Sequence, residues 1–548
     1  MLKKLVEVRV RGHAELATHF LQLLLPSITE GDKLHTDSFA GASGKGPAPA
    51  YTNHADSYFW LCHEAEESQS RRSPPACGVP AAVRTLKVMT FSSTQGMLSL
   101  EDLQAQIEGG EIDTVLVVFP DLYGRLVGKR VTGTFFLDET VAAGMHACDY
   151  LLTVDMEMDV VGGYDFANWA GGYGDVHCVP DWSSLRRVDW LERSALVFCD
   201  LQRDHVTVSL APRDLLKGQV AALAEAGFHA RCATELEYYL FRDSYEQARQ
   251  KKYDGEALQT WGSYIEDYHM LAATKAEAYH GAVRRHMSAS GVPVESSKGE
   301  WAPGQHEINF RFGEALETAD RAAFFKHGCK EIAIQQDCSV TFMAKWRTDL
   351  AGSSAHLHVS LWDATGTTNL FADPASAAES DTFRHFLGGW MTHARALTPF
   401  YAPYPNSYKR YVYQSWAPTS IAWSRDNRTA GFRVVGSGPS LRIESRIPGA
   451  DANPYLAIAA TLAAGLDGVR NKIEPPAEFL GDAYAGSDLP RVPENLTEAT
   501  AELAASRMLR DAFGDEVVDH YVHFFRTEQR KSDEAVTSWE RARYFERG

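Results

Sequence analysis

The eight cysteines of this 548-residue chain stand apart, at 62, 77, 148, 178, 199, 232, 329 and 338, and form no Cys-x-x-Cys pair. That spacing excludes the usual structural zinc site, argues against a disulfide framework, and sets reduced, cytoplasmic thiols as the expectation. Also missing is an apolar run of the ~18 residues a membrane span needs. The best candidate, His19 to Leu25, stops at Pro26 with no small-residue cleavage pattern behind it, so neither a span nor a signal peptide is predicted. Excess positive charge is absent too. The formal net charge is −18, which argues against non-specific nucleic-acid binding and against attraction to anionic membranes. No Gly-x-x-x-x-Gly-Lys-Ser/Thr loop occurs, so a nucleotide would not be held in P-loop fashion. Nor are there internal repeats or regular strand–helix–strand spacing, and their absence removes solenoids and doubly wound sheets.

What is present fits an ordinary globular protein of two or more domains, with 45% hydrophobic and 23% charged residues. Residues 1–95 differ from the rest. They are rich in Gly, Ser, Pro and Ala (FAGASGKGPAPA, SQSRRSPPACGVPAA) and show no sustained period, so they read as a low-complexity extension, loop or disorder. Met97 offers a second possible start before a cleaner pattern, which makes the extension dispensable to the chemistry by expectation. From 96 to 205 short strands are predicted at TVLVVFP, GKRVTGTFF, DYLLTVDMEMDV and ALVFCDL, a compact, mostly β domain. An amphipathic helix follows from Arg213 to Gly227. Across 206–548, helical patterns at 264–289, 317–336, 381–396 and 453–470 alternate with strands, and the fold class is α+β.

Four stretches carry ionisable residues at every second position: Thr234-Glu235-Leu236-Glu237-Tyr238, Glu300 to Glu307 in EWAPGQHE, His356-Leu357-His358, and Arg442-Ile443-Glu444-Ser445-Arg446. A strand sends alternate side chains to one face. Each stretch therefore aims its charged groups one way and Leu236, Leu357 or Ile443 the other way, into a core. Burying unpartnered carboxylates is costly, so four such rows point to one shared site built around metal. Carboxylates are hard donors suited to Mg²⁺ or Mn²⁺, and imidazole suits Mn²⁺ better than Mg²⁺. Two cations beside arginines would suit phosphoryl transfer.

The chain from about 97 to 548 resembles the glutamine synthetase family. The likeness lies in ATELEYYLF (233–241), EWAPGQHEINFRF (300–312), AGSSAHLHVSLW (351–362), NSYKRYV (406–412), SRDNRTAGFRV (424–434) and LRIESRIPGADANPYLAIAA (441–460), in the family's order. It implies a small β-grasp-like domain followed by a catalytic domain with a curved antiparallel sheet. It also implies that Glu237, Glu300 and Glu307 hold one Mg²⁺ or Mn²⁺ and that Glu235, His356 and Glu444 hold a second, nearer the ATP phosphates, with two to three ions per site. Arg428, Arg433 and Arg442 would hold phosphates, with Arg428 nearest the group in transfer. Arg410, Arg446 and the backbone of Gly352 would take the glutamate. Phe312, Ser360 and Glu295 fall where the family places the nucleotide. The implied chemistry is attack of the glutamate γ-carboxylate on the terminal phosphoryl group of ATP, then displacement of phosphate from the γ-glutamyl phosphate by an amine.

Departures from the family pattern sit at the amine end. Members that use ammonia carry a glutamate six residues after the position of Arg410; here Trp416 stands there. Their Asp-Gly-Ser-Ser sequence is absent, with Asp155, Glu157 and Asp159 as possible replacements, and Ala351 replaces an asparagine. An indole offers an apolar wall and a cation–π face instead of a carboxylate. AGSSAHLH and SWAPTSIAW are also similar to the branch that joins glutamate to polyamines or other organic amines. The expected activity is therefore an ATP-dependent glutamate–amine ligase. A glutamine synthetase using ammonia is the alternative, and a catalytically inactive relative a further one. Alkylamine, ethanolamine, polyamine and arylamine all remain open. The resemblance also implies a homo-oligomer, a dodecamer of two stacked hexameric rings with each site between two subunits.

Overall fold

The computed structural model describes residues 95–373, 375–376 and 378–548. The low-complexity reading of 1–95 thus falls, apart from its last residue, outside the described residues. The first of two sheets contains β1 (Thr114–Pro120), β2 (Leu126–Thr132), β3 (Met145–Cys148), β4 (Asp175–Pro180), β5 (Arg186–Arg187), β6 (Ser194–Arg203) and β7 (Val206–Thr207). Its order is β2-β1-β6-β4-β3, with β5 and β7 also on β6. Because β1 pairs antiparallel with β2 and parallel with β6, the sheet is mixed. The helix Leu100–Glu108, started by a Ser99–Asp102 capping box, sends Leu103 into the same apolar cluster as Val115 and Val117. This is the small β-grasp-like arrangement expected.

Three predicted elements differ. GTFF is not strand: Thr132 caps a short helical turn over Gly133–Phe135 that runs on through Phe136–Thr140. DYLL forms a 3₁₀ turn, and the acidic TVDMEMDV segment is mostly turns, with Met158 at positive φ. The pattern over 264–289 breaks into Met270–Lys275 and Glu277–Ala289, preceded by loop. In each case local hydrogen bonding to a Thr or Asp side chain or a positive-φ residue overrides β propensity or periodicity.

The second sheet positions the chemistry. It contains β8 (Phe228–Phe241), β9 (Val294–Gly299), β10 (Gln305–Phe310), β11 (Gly313–Glu314), β12 (Ser339–Thr341), β13 (Ala355–Asp363), β14 (Trp423–Arg425), β15 (Phe432–Val435) and β16 (Arg442–Ser445). The order is β14-β15-β16-β13-β8-β10-β9, with β11 and β12 also on β8. Every join is antiparallel except β14–β15. Leu236, Leu357 and Ile443 are buried, as the alternation requires. Leu357 and Ile443 meet the helices Asp381–Tyr401 and Pro454–Asn471 in one cluster, while Leu236 joins Ala322 and Phe325 of the helix Ala315–Gln335 in another. Gly389 and Gly468 let the first two helices cross closely, since a Cβ on either would lie 2.5–2.6 Å from the other's Cα. Arg213 is 1% exposed and ties the sheets together: it bonds Asp181 and Asp200 of the first and Asp320 of the long helix behind the second.

Candidate active site

Strand pairing sets side chains in rows across the polar face. Directly opposed residues in an antiparallel pair share a face. One row runs Lys298–Glu307–Glu237 across β9, β10 and β8. The next runs Asn309–Glu235–His356 across β10, β8 and β13. A third runs His358–Glu444–Arg433 across β13, β16 and β15. Five of the six expected metal ligands, all but Glu300, are thus set in rows by register alone.

Ligand atoms of Glu235, His356 and Glu444 lie within 4.8 Å of one another, as do those of Glu237, Glu307 and His356. His356 therefore serves both groups in this arrangement. The donors are hard carboxylate oxygens with one imidazole, which fits a divalent cation of the Mg²⁺ or Mn²⁺ kind. Glu300 is placed differently from expectation. It sits not on a strand but at the start of the turn joining β9 and β10, where its N–H donates to Gln305 O, and the Lys298 ammonium pairs with its carboxylate. Pro303 and Gly304 (φ 74°) make that turn, a hairpin signal that the period-2 pattern obscures.

The electrostatics divide the carboxylates into two kinds. Burial alone would raise Glu235 and Glu444. Instead, His358 and His356 hold Glu235 well below the ordinary range, and Arg446 and Arg433 do the same for Glu444. Glu237, Glu307 and Glu300 are pushed up by burial, and for Glu300 the neighbouring Glu307 and Glu237 charges add to it. The second kind needs added positive charge.

Several supporting residues had no role assigned from the sequence, although His358 lies in one of the four rows. His358 Nε2 lies 3.0 Å from Glu235 Oε1, opposite the His356 contact at 2.9 Å. Gln305 donates to Glu237 at 3.2 Å and to Gly352 O at 2.9 Å, and Ser354 N–H donates to Glu237 at 2.8 Å. Asn309 donates to Glu307 at 3.1 Å. Asp426 accepts from Arg433. For His358, Gln305 and Asn309 the clue was present: each shares the period-2 face of a named ligand.

The two arginines expected to take the glutamate, Arg410 and Arg446, are buried rather than on a rim. Arg410 is 1% and Arg446 5% exposed, and the Nε of each has no hydrogen-bond partner among the described residues. Arg410 donates to Ser354 Oγ and to Ile447 O, and Arg446 donates to Glu444. Gly352 is required by this packing, since a Cβ there would lie 2.4 Å from Arg410 Cγ and 2.6 Å from Ala344 O. We expect Gly352→Ala to push Arg410 aside and raise the glutamate KM by about tenfold or more, the scale of a displaced positioning group. An unchanged glutamate KM in steady-state kinetics would refute that role.

Toward the nucleotide end, Ser360 on β13 accepts from Trp362 Nε1 at 2.9 Å, and Arg442 donates to His358 Nδ1 at 3.3 Å. Phe312 is half-buried with the Arg231 guanidinium 5.7 Å from its ring. Glu295 is exposed beside Arg311 at 3.6 Å. Arg428 acts electrostatically on Asp267 and Tyr268. At the opposite end Trp416 is 44% exposed with φ 66°, and its ring meets Trp301 edge-on at 5.7 Å. Trp301 directly follows Glu300, so the Trp416 loop reaches the metal hairpin. Asp155 and Glu157 are engaged by Lys531 of the helix Asp515–Glu534, and Asp159 N–H donates to Asp155.

Carboxylates, imidazoles and arginines gathered on one face of an open antiparallel sheet define an α+β enzyme of the phosphoryl-transfer ligase kind. The sequence pattern of the glutamine synthetase catalytic domain matches residues 209–544. The chain belongs to the glutamine synthetase family. It is 46% identical over 451 residues to a γ-glutamylethanolamide synthetase, GlnA4, of Streptomyces coelicolor, a match covering 82% of this chain and 96% of that one. It is 37% identical over 463 residues to a glutamate–isopropylamine ligase of a Pseudomonas species, covering 84% of this chain and 100% of that one. Among solved structures, GmaS in complex with ADP aligns with a TM-score of 0.71 at 28% identity, covering 81% of this chain and 99% of GmaS.

Proposed function

We infer that the chain is an ATP-dependent glutamate–amine ligase forming a γ-glutamyl amide, ADP and phosphate, and we propose that its amine is a primary amine with a short carbon body. Trp416 carries the second part: an indole packed on Trp301 stands where ammonia-using relatives place a carboxylate. The names of the two relatives above, an ethanolamide synthetase and an isopropylamine ligase, support it.

In this reading Arg410 and Arg446, each with a buried N–H that is unmade among the described residues, orient the glutamate so that its γ-carboxylate faces the terminal phosphoryl group. Buried donors aimed at developing charge act strongly because no solvent must reorganise. Arg428, Arg433 and Arg442 hold the phosphoryl oxygens as the charge shifts. Two Mg²⁺ or Mn²⁺ ions, held by Glu237, Glu300 and Glu307 and by Glu235, His356 and Glu444, would supply further neutralisation of phosphate charge. The Trp416–Trp301 wall then seats the carbon body of the amine and keeps water from the acyl phosphate. The deciding assay is phosphate release from ATP with glutamate and a panel of ethanolamine, short alkylamines, a polyamine, an arylamine and ammonia. Glutamate-dependent release with a short organic amine is expected; efficient turnover with ammonia alone would overturn the amine assignment.

We further propose a ring assembly of the family type, two stacked hexamers, with the exposed Trp169 (77% exposed) and Met156 and Met158 of the small domain facing a neighbouring subunit. Sedimentation of the active enzyme checks it, and an active monomer would contradict it. Residues 1–95 are proposed to be dispensable. The match to GlnA4 takes in 96% of that relative but 82% of this chain, and Met97 already pairs with Arg186 of the small domain. A chain started at Met97 is expected to keep its turnover within about twofold, the scatter of a change made away from the site residues. Loss of activity in a folded truncation would refute this.

A further inference from the structure

Lys298 stands opposite Glu307 in the β9–β10 register and thus points to the metal face. Its ammonium pairs with Glu300, lies 4.0 Å from Glu307 and 3.9 Å from Asp267, and rests 4.5 Å from the centre of the Tyr268 ring. A cation of the chain itself thus occupies the neighbourhood of the carboxylate group that demands one.

One ammonium cannot remain there beside a divalent ion bound to the same oxygens, because like charges at contact distance repel strongly. Lysine has a flexible four-carbon stem and three rotatable donors, and a second carboxylate, Asp267, is already within its reach. Asp267 and Tyr268 also feel the charge of Arg428, so this second position lies toward the expected phosphoryl end of the site. The Tyr268 backbone is tied to the metal hairpin through its N–H to Gly299 O at 3.4 Å.

We propose that Lys298 is a tethered place-holder for the first cation and a positioning residue of the reaction. Its ammonium fills the Glu237–Glu300–Glu307 group until a divalent ion displaces it onto Asp267, where it adds positive charge beside Arg428 at the phosphate end. The inference rests on the two-cation reading above, and the test separates the two. Mn²⁺ binding to the nucleotide-free enzyme is measured from the paramagnetic signal of free Mn²⁺ for wild type, Lys298→Met, Asp267→Asn and the double variant.

Lys298→Met should tighten the stronger Mn²⁺ site by about tenfold, the size of one charge-assisted contact that no longer has to be broken. Asp267→Asn, which removes the place where the displaced ammonium goes, should weaken it by about threefold, and should have no effect once Lys298 is gone. The double variant decides, because the plain effect of a nearby negative charge would persist without the lysine. Mn²⁺ affinity unchanged or weakened in Lys298→Met, or an Asp267→Asn effect that persists without the lysine, overturns the proposal. If Lys298→Met does not fold, an Asp267→Asn affinity equal to wild type overturns it alone. A wild-type enzyme that takes up no Mn²⁺ overturns the two-cation reading and this inference together.

Discussion

Replacing Glu444 by glutamine is expected to reduce glutamate-dependent phosphate release by about 10³-fold or more while the protein stays folded, because a buried charge complementary to the reacting centre is removed without a change of shape. Replacing it by alanine should also cost roughly 3–5 kcal/mol of stability, the penalty for leaving buried charges uncompensated. The difference follows from what surrounds it. Glu444 is fully buried, with Arg433 donating to one oxygen at 2.8 Å and Arg446 to the other. Glutamine can still accept from one guanidinium, whereas alanine takes the buried carboxylate partner from both.

The same geometry sets a pH dependence. Burial would raise the Glu444 carboxyl, but the two arginines more than reverse that and hold it below its ordinary 4.5. A depressed carboxylate contributes stability that is present above its unfolded pKa and is lost as pH falls through the folded one. Wild type should therefore lose thermal stability on acidification below about pH 4.5 more steeply than Glu444→Gln does. Thermal unfolding across pH, paired with phosphate release at neutral pH, measures both effects. A Glu444→Gln enzyme with near wild-type turnover would remove Glu444 from the site.

Glu444 was legible in the sequence for the reason that Leu236, Leu357 and Ile443 were. In a strand the two faces separate by parity, and a charged residue between core residues is informative without any knowledge of the fold. Glu235, Glu237, His356 and Arg442 follow the same logic, and register then brings their strands together. Parity fails where the chain leaves the sheet. Glu300 shares its spacing with strand residues, yet Trp301-Ala302-Pro303-Gly304 turns the chain, and Glu300 reaches the site from the hairpin's corner. Lys298 was illegible for another reason. A lysine beside a glycine reads as a solvated face, and its partners Asp267 and Tyr268 come from a loop that periodicity assigns to a helix. Gln305 and Asn309 stood in plain view next to named ligands. Their amides matter only because β8 and Gly352 approach, which sequence spacing does not state.

Trp416 tests the amine reading most directly. Replacing Trp416 by glycine is expected to leave the thermal midpoint unchanged or slightly raised, while kcat/KM for the short organic amine falls about 10–100-fold, as when a pocket loses a packed hydrophobic wall. Trp416 sits at φ 66°, where a bulky residue costs roughly 1–2 kcal/mol. Its edge-on contact with Trp301 at 5.7 Å returns about 0.5–1.5 kcal/mol. The two terms nearly cancel, so fold stability gives no reason for tryptophan at this position, and a strained bulky residue at a site mouth points to ligand contact. Replacing Trp416 by glutamate should go further. A carboxylate there attracts a small ammonium ion and repels the apolar body of an organic amine, so the preference should move toward ammonia by about 10²-fold or more, the product of a gain for one and a loss for the other. Phosphate release measured with ammonia and with the best organic amine, for wild type and both variants, gives the ratio. If neither substitution alters that ratio, the amine is recognised elsewhere, and the indole of Trp416 is packing alone.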